Sequence, residues 1–274
     1  MPELPEVEVL RKSLEPLLTG DRIDSVEVHA PALREPLDRR RLARDASGRR
    51  VERLRRRGKY LLIDLTEGKT LVVHLGMSGR LTLVPGAEPR EPHEHLAFRL
   101  ASGRRLRLVD PRRFGVAFTL PTAGVEADRH FAGLGVEPLA GGFGGAALAA
   151  AARGRRGPVK AFLMDASIVV GLGNIYATDA LWRAGIHPRR SAGRISAASW
   201  ERLAEAVREV LASAIAQGGT TLRDYADGEG NAGWFQVSLA VYGREGEPCP
   251  RCGAAVRRIV QANRSTFYCP RCQR

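Results

Sequence analysis

The residues of this sequence that could do chemistry begin at its N-terminus, with Pro2 and Glu3. Initiator methionine is normally removed when proline follows it, and removal would leave Pro2 with an exposed secondary amine. An α-amino group titrates near pH ~8, so a usable fraction of it is a nucleophile at neutral pH without any burial. Glu3 lies beside this amine as a candidate proton donor. The simpler alternative is that both residues only mark the start of a core helix.

The segment after Glu3 is the element that must position this amine. Apolar residues recur there at helical spacing on one face, at Leu4, Val7, Leu10, Leu14, Leu17 and Leu18. Pro5 suits the first turn of a helix, where its missing N–H costs nothing. The sequence therefore predicts a helix that begins next to Pro2, and the positive end of its dipole disfavours an ammonium there.

A second chemical group is a set of four cysteines near the other end of the chain, at Cys249, Cys252, Cys269 and Cys272. They form two Cys-x2-Cys pairs with sixteen residues between them, which is typical of a tetrahedral zinc site rather than of disulfides. Four thiolates fill the coordination shell, so we predict one structural zinc ion. The residues between the pairs predict a β-hairpin with Arg264 near its tip.

Composition narrows the class of protein. The chain has 274 residues, of which 44% are apolar, as expected of a folded protein with two domains. Its net charge of +13 favours a polyanionic partner, with nucleic acid ahead of an anionic membrane surface. The sequence contains no run of 18 apolar residues and no signal-peptide pattern, which predicts a cytoplasmic protein without a membrane span.

Along the chain, strand patterns are followed by helical patterns. Residues from about 22 to 120 alternate in the manner of an antiparallel β-sandwich. Residues 110–115 interrupt it as a loop, since Pro111 stops strand pairing and Gly115 permits unusual backbone angles. Periodicity is lost over residues 121–135, and we predict domains at residues 1–130, 131–223 and 224–274. Predicted helices follow at residues 146–152, at residues 158–165 and in a long segment that Ser196 caps and Gly218 and Gly219 end.

Six stretches resemble the formamidopyrimidine-DNA glycosylases. They lie at residues 2–8, 57–62, 74–79, 110–115, 169–177 and 218–225. With the cysteine pairs, these matches extend over essentially the whole chain. The resemblance implies an α+β protein of several domains: an antiparallel β-sandwich with an N-terminal helix, a helical helix-two-turn-helix domain, and a β-hairpin zinc finger.

For activity, the resemblance implies a DNA glycosylase that is also an abasic-site lyase and acts on oxidised purines in double-stranded DNA. The Pro2 amine would attack the sugar C1′, and Glu3 would supply the proton that opens the sugar. Elimination from the resulting Schiff base would then cut the strand. Lys59 and Arg264 join them in the implied catalytic group, where they hold phosphates near the lesion. No nucleotide cofactor is implied, and the protein is expected to be a monomer.

The resemblance also assigns residues to DNA binding, namely His74, Met77, Arg112, Phe114, Lys160, Asn174 and Tyr242. Phe114 would wedge into the base stack, Met77 would fill the space of the extruded nucleotide, and Arg112 would meet the orphaned base. Taken alone, His74 reads as a satisfied histidine at a strand end and Phe114 as a core residue.

Two alternatives stay open at this point. The endonuclease VIII group uses the same amine on oxidised pyrimidines, although it usually has glycine where this chain has Leu4. A zinc ribbon that binds nucleic acid without catalysis would explain the charge and the cysteines, but it gives no reason for a free Pro2. Within the resembled family, Ala166 replaces a common Gln or Asn. The resemblance also implies a lesion-capping loop at residues 226–234, which closes over the extruded base. Residues 227–234 lack the Pro-Gly that many members have, so the lesion preference does not carry over.

Overall fold

The computed structural model describes residues 2–219 and 239–274. The described chain forms two compact units, one built from residues 2–132 and 217–219 and the other from residues 133–216 and 239–274. The predicted boundary at residue 223 and the predicted lesion-capping loop at residues 226–234 lie outside the described residues. The predicted boundary at residue 130 stays a prediction.

The first unit is a sandwich of two antiparallel sheets, as predicted. Its sheets have the strand orders β1-β6-β7-β5 and β2-β3-β4-β8. The elements are α1 (Leu4–Leu18), β1 (Ile23–Val28), α2 (Arg39–Ala46), β2 (Val51–Arg57), β3 (Tyr60–Leu65), β4 (Lys69–His74), β5 (Arg80–Pro85), β6 (Glu94–Leu100), β7 (Arg104–Val109) and β8 (Val116–Pro121). One apolar cluster joins the inner faces of the sheets to α1 through residues such as Leu10, Ile63 and Phe98.

Helix α1 begins directly after Glu3, which is its N-cap. The Glu3 side chain accepts from the backbone N–H of Glu6, while Glu6 Oε2 accepts from the backbone N–H of Glu3 at 2.8 Å. This reciprocal pair satisfies two amides that a helix start otherwise leaves unpaired. Pro5 lies in the first turn, and the predicted apolar face is buried, with Leu10 and Leu14 at 0% exposure.

Helix α2 lies where the sequence predicts only strands, so that prediction is wrong for residues 39–46. Asp38 caps the helix, since its Oδ1 accepts from the N–H of Arg41 at 2.9 Å. The helix packs through Leu42 and Ala46, which are both buried. Two buried apolar residues in an arginine-rich segment are too few to show a helical period in the sequence.

The second unit is helical and ends in a hairpin. Its elements are α3 (Gly145–Ala151), α4 (Val159–Leu163), α5 (Asn174–Ala184), α6 (Ala197–Ala216), β9 (Arg257–Gln261) and β10 (Arg264–Tyr268). Ser196 caps α6 as predicted, because its Oγ accepts from the N–H of Ser199 at 3.3 Å. Helix α4 ends two residues before the predicted residue 165, where Asp165 Oδ1 accepts from the N–H of Ser167 at 3.0 Å and turns the chain.

The hairpin is antiparallel and has the predicted position. Arg264 pairs with Gln261 as the first residue pair beside the turn. Ala262 and Asn263 form the turn with φ values of 45° and 58°, as two-residue hairpins with both central residues at positive φ require. Among the described residues, no helix is long and apolar enough to cross a membrane.

Candidate functional site

The N-terminal half of α1 lies along β2 and is tied to the turn that follows it. Arg56 is the link: its Nε lies 3.1 Å from Glu8 Oε2, and it donates to the carbonyl oxygen of Gly58 at 2.9 Å. Further along the helix, Glu15 accepts from the N–H of Leu54 at 3.4 Å. Glu15 thus contacts residue 54, and Glu8, closer to the helix start, contacts residue 56, closer to the turn. The start of α1 therefore lies at the end of the unit that holds this turn.

Pro2 and Glu3 therefore lie at the same end of the first unit as Lys59. Glu3 is 2% exposed, and its carboxylate is held in the reciprocal pair with Glu6. Pro2 is buried in this chain. It packs inward with Glu3 and Leu4, and because Met1 precedes it, its nitrogen is part of a peptide bond. The exposed amine expected after removal of Met1 stays a prediction.

Lys59 lies in the two-residue turn between β2 and β3. Arg57 and Tyr60 are the last pair of the ladder, and Gly58 takes a φ of 57°, a value that glycine adopts readily. The lysine is thus presented from a short, hydrogen-bonded turn rather than from a long loop. Its role toward phosphate stays a prediction.

Three connections lie together at this end of the sheet β2-β3-β4-β8. Tyr60 begins β3 and pairs with His74, the last residue of β4. His74 in turn pairs with Val116, the first residue of β8. The Lys59 turn, the loop of residues 75–79 and the loop of residues 110–115 are therefore neighbours. Two loops that are distant in the sequence meet because adjacent antiparallel strands end side by side.

His74 is neutral at this position. Burial, with smaller contributions from the nearby charges of Lys59, Arg34 and His130, lowers its pKa to about 4. Its Nδ1 accepts from the backbone N–H of Gly76 at 3.0 Å, so the ring hydrogen lies on Nε2. A neutral imidazole with an Nε2–H is a hydrogen-bond donor, and this suits the predicted contact to a phosphate oxygen.

The two loops present the predicted trio at the surface. Met77 is 39% exposed and Phe114 is 43% exposed, which is unusual for large apolar side chains. The guanidinium carbon of Arg112 lies 5.0 Å from the centre of the Phe114 ring. The left-handed backbone in the 110–115 loop belongs to Arg113, with a φ of 55°, and not to Gly115 as expected. Gly115 is needed for space instead, since a Cβ there would lie 2.9 Å from the carbonyl oxygen of His74.

In the second unit, the structure brings three predicted residues together, Lys160, Asn174 and Tyr242. Lys160 is 2% exposed, and its Nζ donates to Asn174 Oδ1 at 2.5 Å. Asn174 Nδ2 donates to the carbonyl oxygen of Ser265 at 2.9 Å and lies 3.4 Å from the hydroxyl of Tyr242. Asn174 is also the first residue of α5, where the helix dipole favours an anion.

A cavity of about 140 Å³ lies against this network and is lined by Lys160, Asn174 and Arg264 among others. Arg264 is exposed at the start of β10, directly beyond the hairpin turn. Two cations and a helix N-terminus around a small cavity form a site that can hold a phosphate group. Each predicted role here stays a prediction.

Sequence reasoning missed two residues that complete these sites, Glu6 and Thr266. Glu6 holds Glu3, and a Glu at the third helical position is a signal of this pairing that the sequence does contain. Thr266 is fully buried, and its Oγ1 accepts from Lys160 Nζ at 2.6 Å. Lys160 and Thr266 are 106 positions apart, so no local pattern predicts their contact.

The four cysteines form a site that fits a zinc ion. Their sulfur atoms all lie within 4.8 Å of one another, and two of the separations are 3.4 and 4.0 Å. Tetrahedral Zn–S bonds of about 2.3 Å require sulfur separations of about 3.8 Å. Trp182 lies beside the site, where its indole N–H donates to Cys249 Sγ at 3.4 Å. The predicted structural zinc site is confirmed by this arrangement and by the domain comparison that follows.

Three known domain families match successive parts of the chain. The formamidopyrimidine-DNA glycosylase N-terminal domain matches residues 1–117, and the formamidopyrimidine-DNA glycosylase H2TH domain matches residues 134–226. The zinc finger found in FPG and IleRS matches residues 246–274. The formamidopyrimidine-DNA glycosylase of Acidithiobacillus ferrooxidans is 51% identical over 276 residues, with 100% of both chains covered. The chain belongs to the formamidopyrimidine-DNA glycosylase family.

Solved structures of the family agree with this fold. A variant of the Lactococcus lactis protein, crystallised with DNA containing Fapy-dG, has a TM-score of 0.93 at 34% identity over 100% of each chain. The Lactococcus lactis protein with DNA containing an abasic site gives 0.92 at 34% identity over 99% of each chain. A third complex of that protein contains DNA with an oxidised pyrimidine. The predicted family and fold class are confirmed.

Proposed function

We propose that this chain is a bifunctional enzyme, a DNA glycosylase for oxidised purines in duplex DNA and an abasic-site lyase. The observation that carries the proposal is the position of Pro2 and Glu3 at the start of α1, at the end of the unit that also holds the Lys59 turn and the two exposed loops. The complexes of the Lactococcus lactis protein with Fapy-dG and abasic-site DNA support it.

The chemistry begins once Met1 is removed. The lone pair of the Pro2 nitrogen attacks the sugar C1′, the bond from C1′ to the base breaks, and the base leaves with the proton that the attacking amine gives up. Glu3 gives a proton to the ring oxygen of the sugar, which opens the ring and leaves a cationic Schiff base between Pro2 and C1′. The reciprocal pair with Glu6 fixes the Glu3 carboxyl group at the helix start.

Strand cleavage follows from the charge on the Schiff base. The cation acidifies the hydrogen on C2′, and loss of this proton expels the 3′ phosphate. A second elimination expels the 5′ phosphate. Lys59 and His74 in the first unit, with Lys160, Asn174, Tyr242 and Arg264 in the second, would bind the phosphates around the lesion.

Met77, Arg112 and Phe114 would act on the duplex itself. Insertion of an exposed aromatic side chain between bases costs unstacking energy, which contacts with the extruded nucleotide repay. The exposure of Met77 and Phe114 supports this role, because large apolar side chains at a protein surface commonly mark a contact site.

Oxidised pyrimidines are a second candidate substrate class. The Lactococcus lactis complex favours it, since that relative was crystallised with DNA containing an oxidised pyrimidine. The same nucleophile and the same proton donor would serve both classes. Leu4 and the trio in the two loops favour the purine class for this chain, because the endonuclease VIII group usually has glycine at the position of Leu4.

Base release under single-turnover conditions tests the proposal. The substrates are duplexes with 8-oxoguanine or with an oxidised pyrimidine, and the variant is Glu3→Gln. We expect wild type to release 8-oxoguanine faster, and the variant to be slower by about two to four orders of magnitude because a general acid is lost. Glu52→Gln is the matched control, since Glu52 is exposed on β2. Release of neither base by the wild-type protein would refute the proposed function.

A further inference from the structure

Asp110 has a buried carboxylate that joins the two loops of the first unit. It lies directly after β7 and is 0% exposed. Its Oδ1 accepts from the hydroxyl of Ser78 at 2.8 Å, and its Oδ2 accepts from the backbone N–H of Gly115 at 2.8 Å. Ser78 belongs to the 75–79 loop and Gly115 ends the 110–115 loop. One side chain therefore fixes the separation between them.

Further hydrogen bonds hold the 110–115 loop at its middle. The hydroxyl oxygen of Ser78 also accepts from the backbone N–H of Arg112 at 3.3 Å. The carbonyl oxygen of Asp110 accepts from the N–H of Arg113 at 3.2 Å and lies 3.0 Å from His95 Nε2. These contacts support the left-handed backbone of Arg113, which a residue with a side chain rarely adopts.

The backbones of the two loops are also in direct contact. A Cβ on Gly76 would lie 2.3 Å from the carbonyl carbon of Phe114, so these segments pass each other without room for a side chain. Their relative position is thus set by backbone contact and by Asp110, although the loops have no ladder of strand hydrogen bonds. The exposed side chains project from this fixed base.

Each member of the exposed trio adjoins a residue that Asp110 or Ser78 holds. Met77 precedes Ser78 and Phe114 precedes Gly115 in the chain, and the N–H of Arg112 is bonded to Ser78. A carboxylate suits this task because both of its oxygens accept, whereas an amide offers one acceptor and two donors. Burying the charge costs desolvation that these hydrogen bonds must offset.

We propose that Asp110 is a positioning residue that holds Met77, Arg112 and Phe114 in one constellation for entry into the duplex. It acts through Ser78 and Gly115 and does not itself touch DNA. The inference rests on the proposed function, because the trio has a task only if the protein extrudes a damaged nucleotide. Asp110 would thus affect specificity without lying on the surface that meets the substrate.

The test compares Asp110→Asn with Asp64→Asn. Asp64 is a matched control, because it is 1% exposed in the same unit and bonds to Arg55 and Thr70 away from the loops. Three quantities are measured: amide hydrogen exchange of residues 110–116 without DNA, 2-aminopurine fluorescence beside a tetrahydrofuran abasic site in a duplex, and the ratio of excision opposite C to excision opposite A. Arg112 is expected to raise this ratio, because its donors match the adjacent acceptors of an unpaired cytosine.

Asp110→Asn should speed exchange at Gly115 and lower both the fluorescence rise and the C-over-A ratio, each by about tenfold, as expected when a buried donor loses its acceptor and a base contact is lost. Asp64→Asn should lower the melting temperature and leave all three quantities within about twofold of wild type. If Asp110→Asn does not fold, Ser78→Ala removes one of the two bonds and should give intermediate values.

The inference is overturned if Asp110→Asn keeps the wild-type fluorescence rise and C-over-A ratio, or if Asp64→Asn lowers them equally, since a general loss of stability would then explain both. Failure of the proposed function looks different: the wild-type protein itself would excise neither lesion. In that case the trio has no task and the inference falls with the proposed function, whatever the exchange at Gly115 in Asp110→Asn.

Discussion

The Nδ1 of His74 accepts a hydrogen bond from the backbone N–H of Gly76 at 3.0 Å. This bond fixes the ring at the point where β4 gives way to the Met77 loop. It requires an unprotonated Nδ1, and burial lowers the pKa of His74 to about 4, which keeps it so at neutral pH. Toward an anionic partner, His74 is thus a neutral donor through Nε2 and not a counter-charge.

The lowered pKa of His74 makes stability depend on pH. The unfolded chain binds this proton near pH 6.5 and the folded chain only near pH 4, so the contribution is complete above pH 6.5 and is lost as the pH falls toward 4. His74 accounts for at most about 3 kcal/mol of that loss. Denaturant unfolding of wild type and His74→Gln at several pH values measures it. If the free energy of unfolding falls equally steeply with pH in both proteins between pH 6.5 and 4, the assignment to His74 is wrong.

Arg112 should set the choice of the base opposite the lesion. Guanidinium is a donor only, and an unpaired cytosine offers O2 and N3 as adjacent acceptors, whereas adenine places an amino donor beside N1. The difference is about 1–3 kcal/mol by analogy with bidentate base contacts, so excision opposite C should be roughly ten to a hundred times faster than opposite A.

Measuring both pairings in wild type and Arg112→Ala checks this assignment, with Arg113→Ala as the neighbouring control. The ratio should fall toward one in Arg112→Ala and persist in Arg113→Ala. A ratio that survives in Arg112→Ala would transfer the selectivity to another residue or to duplex deformability.

Removal of zinc should abolish DNA binding before it unfolds the first unit. The hairpin that carries Arg264 rests on a small cluster that includes Cys249, Val256 and Phe267, so it depends on the metal. The first unit has its own core. Trp182 reports the event through fluorescence, because its indole N–H bonds to Cys249. In a chelator titration, its signal and DNA affinity should change together, while thermal unfolding of the first unit stays unchanged.

Trp182→Phe is the control for that titration, since it should lose the fluorescence change and keep the chelator dependence of binding. Global unfolding at the chelator concentration that abolishes binding would contradict the independence of the first unit. Binding that survives full zinc removal would show that Arg264 is not needed for it.

Elements with a local pattern were predictable from this sequence. The spacing of its leucines predicts helix α1, and two cysteine pairs with short alternating strands predict the hairpin with Arg264 at its tip. Helix α2 was not predictable, because Leu42 and Ala46 are its main buried apolar residues and arginines fill most of the other positions.

The sites were predictable where residue types alone carry the signal, and not where contacts join distant segments. No local pattern predicts that Lys160 meets Thr266, or that Asp110 bonds to Ser78 across 32 positions. The left-handed residue of the 110–115 loop was also unpredictable, because Asp110 and Ser78 stabilise it at Arg113 rather than at glycine. Burial of Pro2 likewise depends on packing that its own segment does not reveal.

The most direct measurement is borohydride trapping on a duplex that contains 8-oxoguanine, followed by mass spectrometry of the cross-linked peptide. Borohydride reduces a Schiff base to a stable amine, so protein that has lost Met1 should become joined to DNA through the nitrogen of Pro2. Protein with an uncleavable N-terminal extension should bind the same duplex without trapping. Undiminished trapping by the extended protein, or a cross-link mapped to Lys160, would contradict the proposal that Pro2 is the nucleophile.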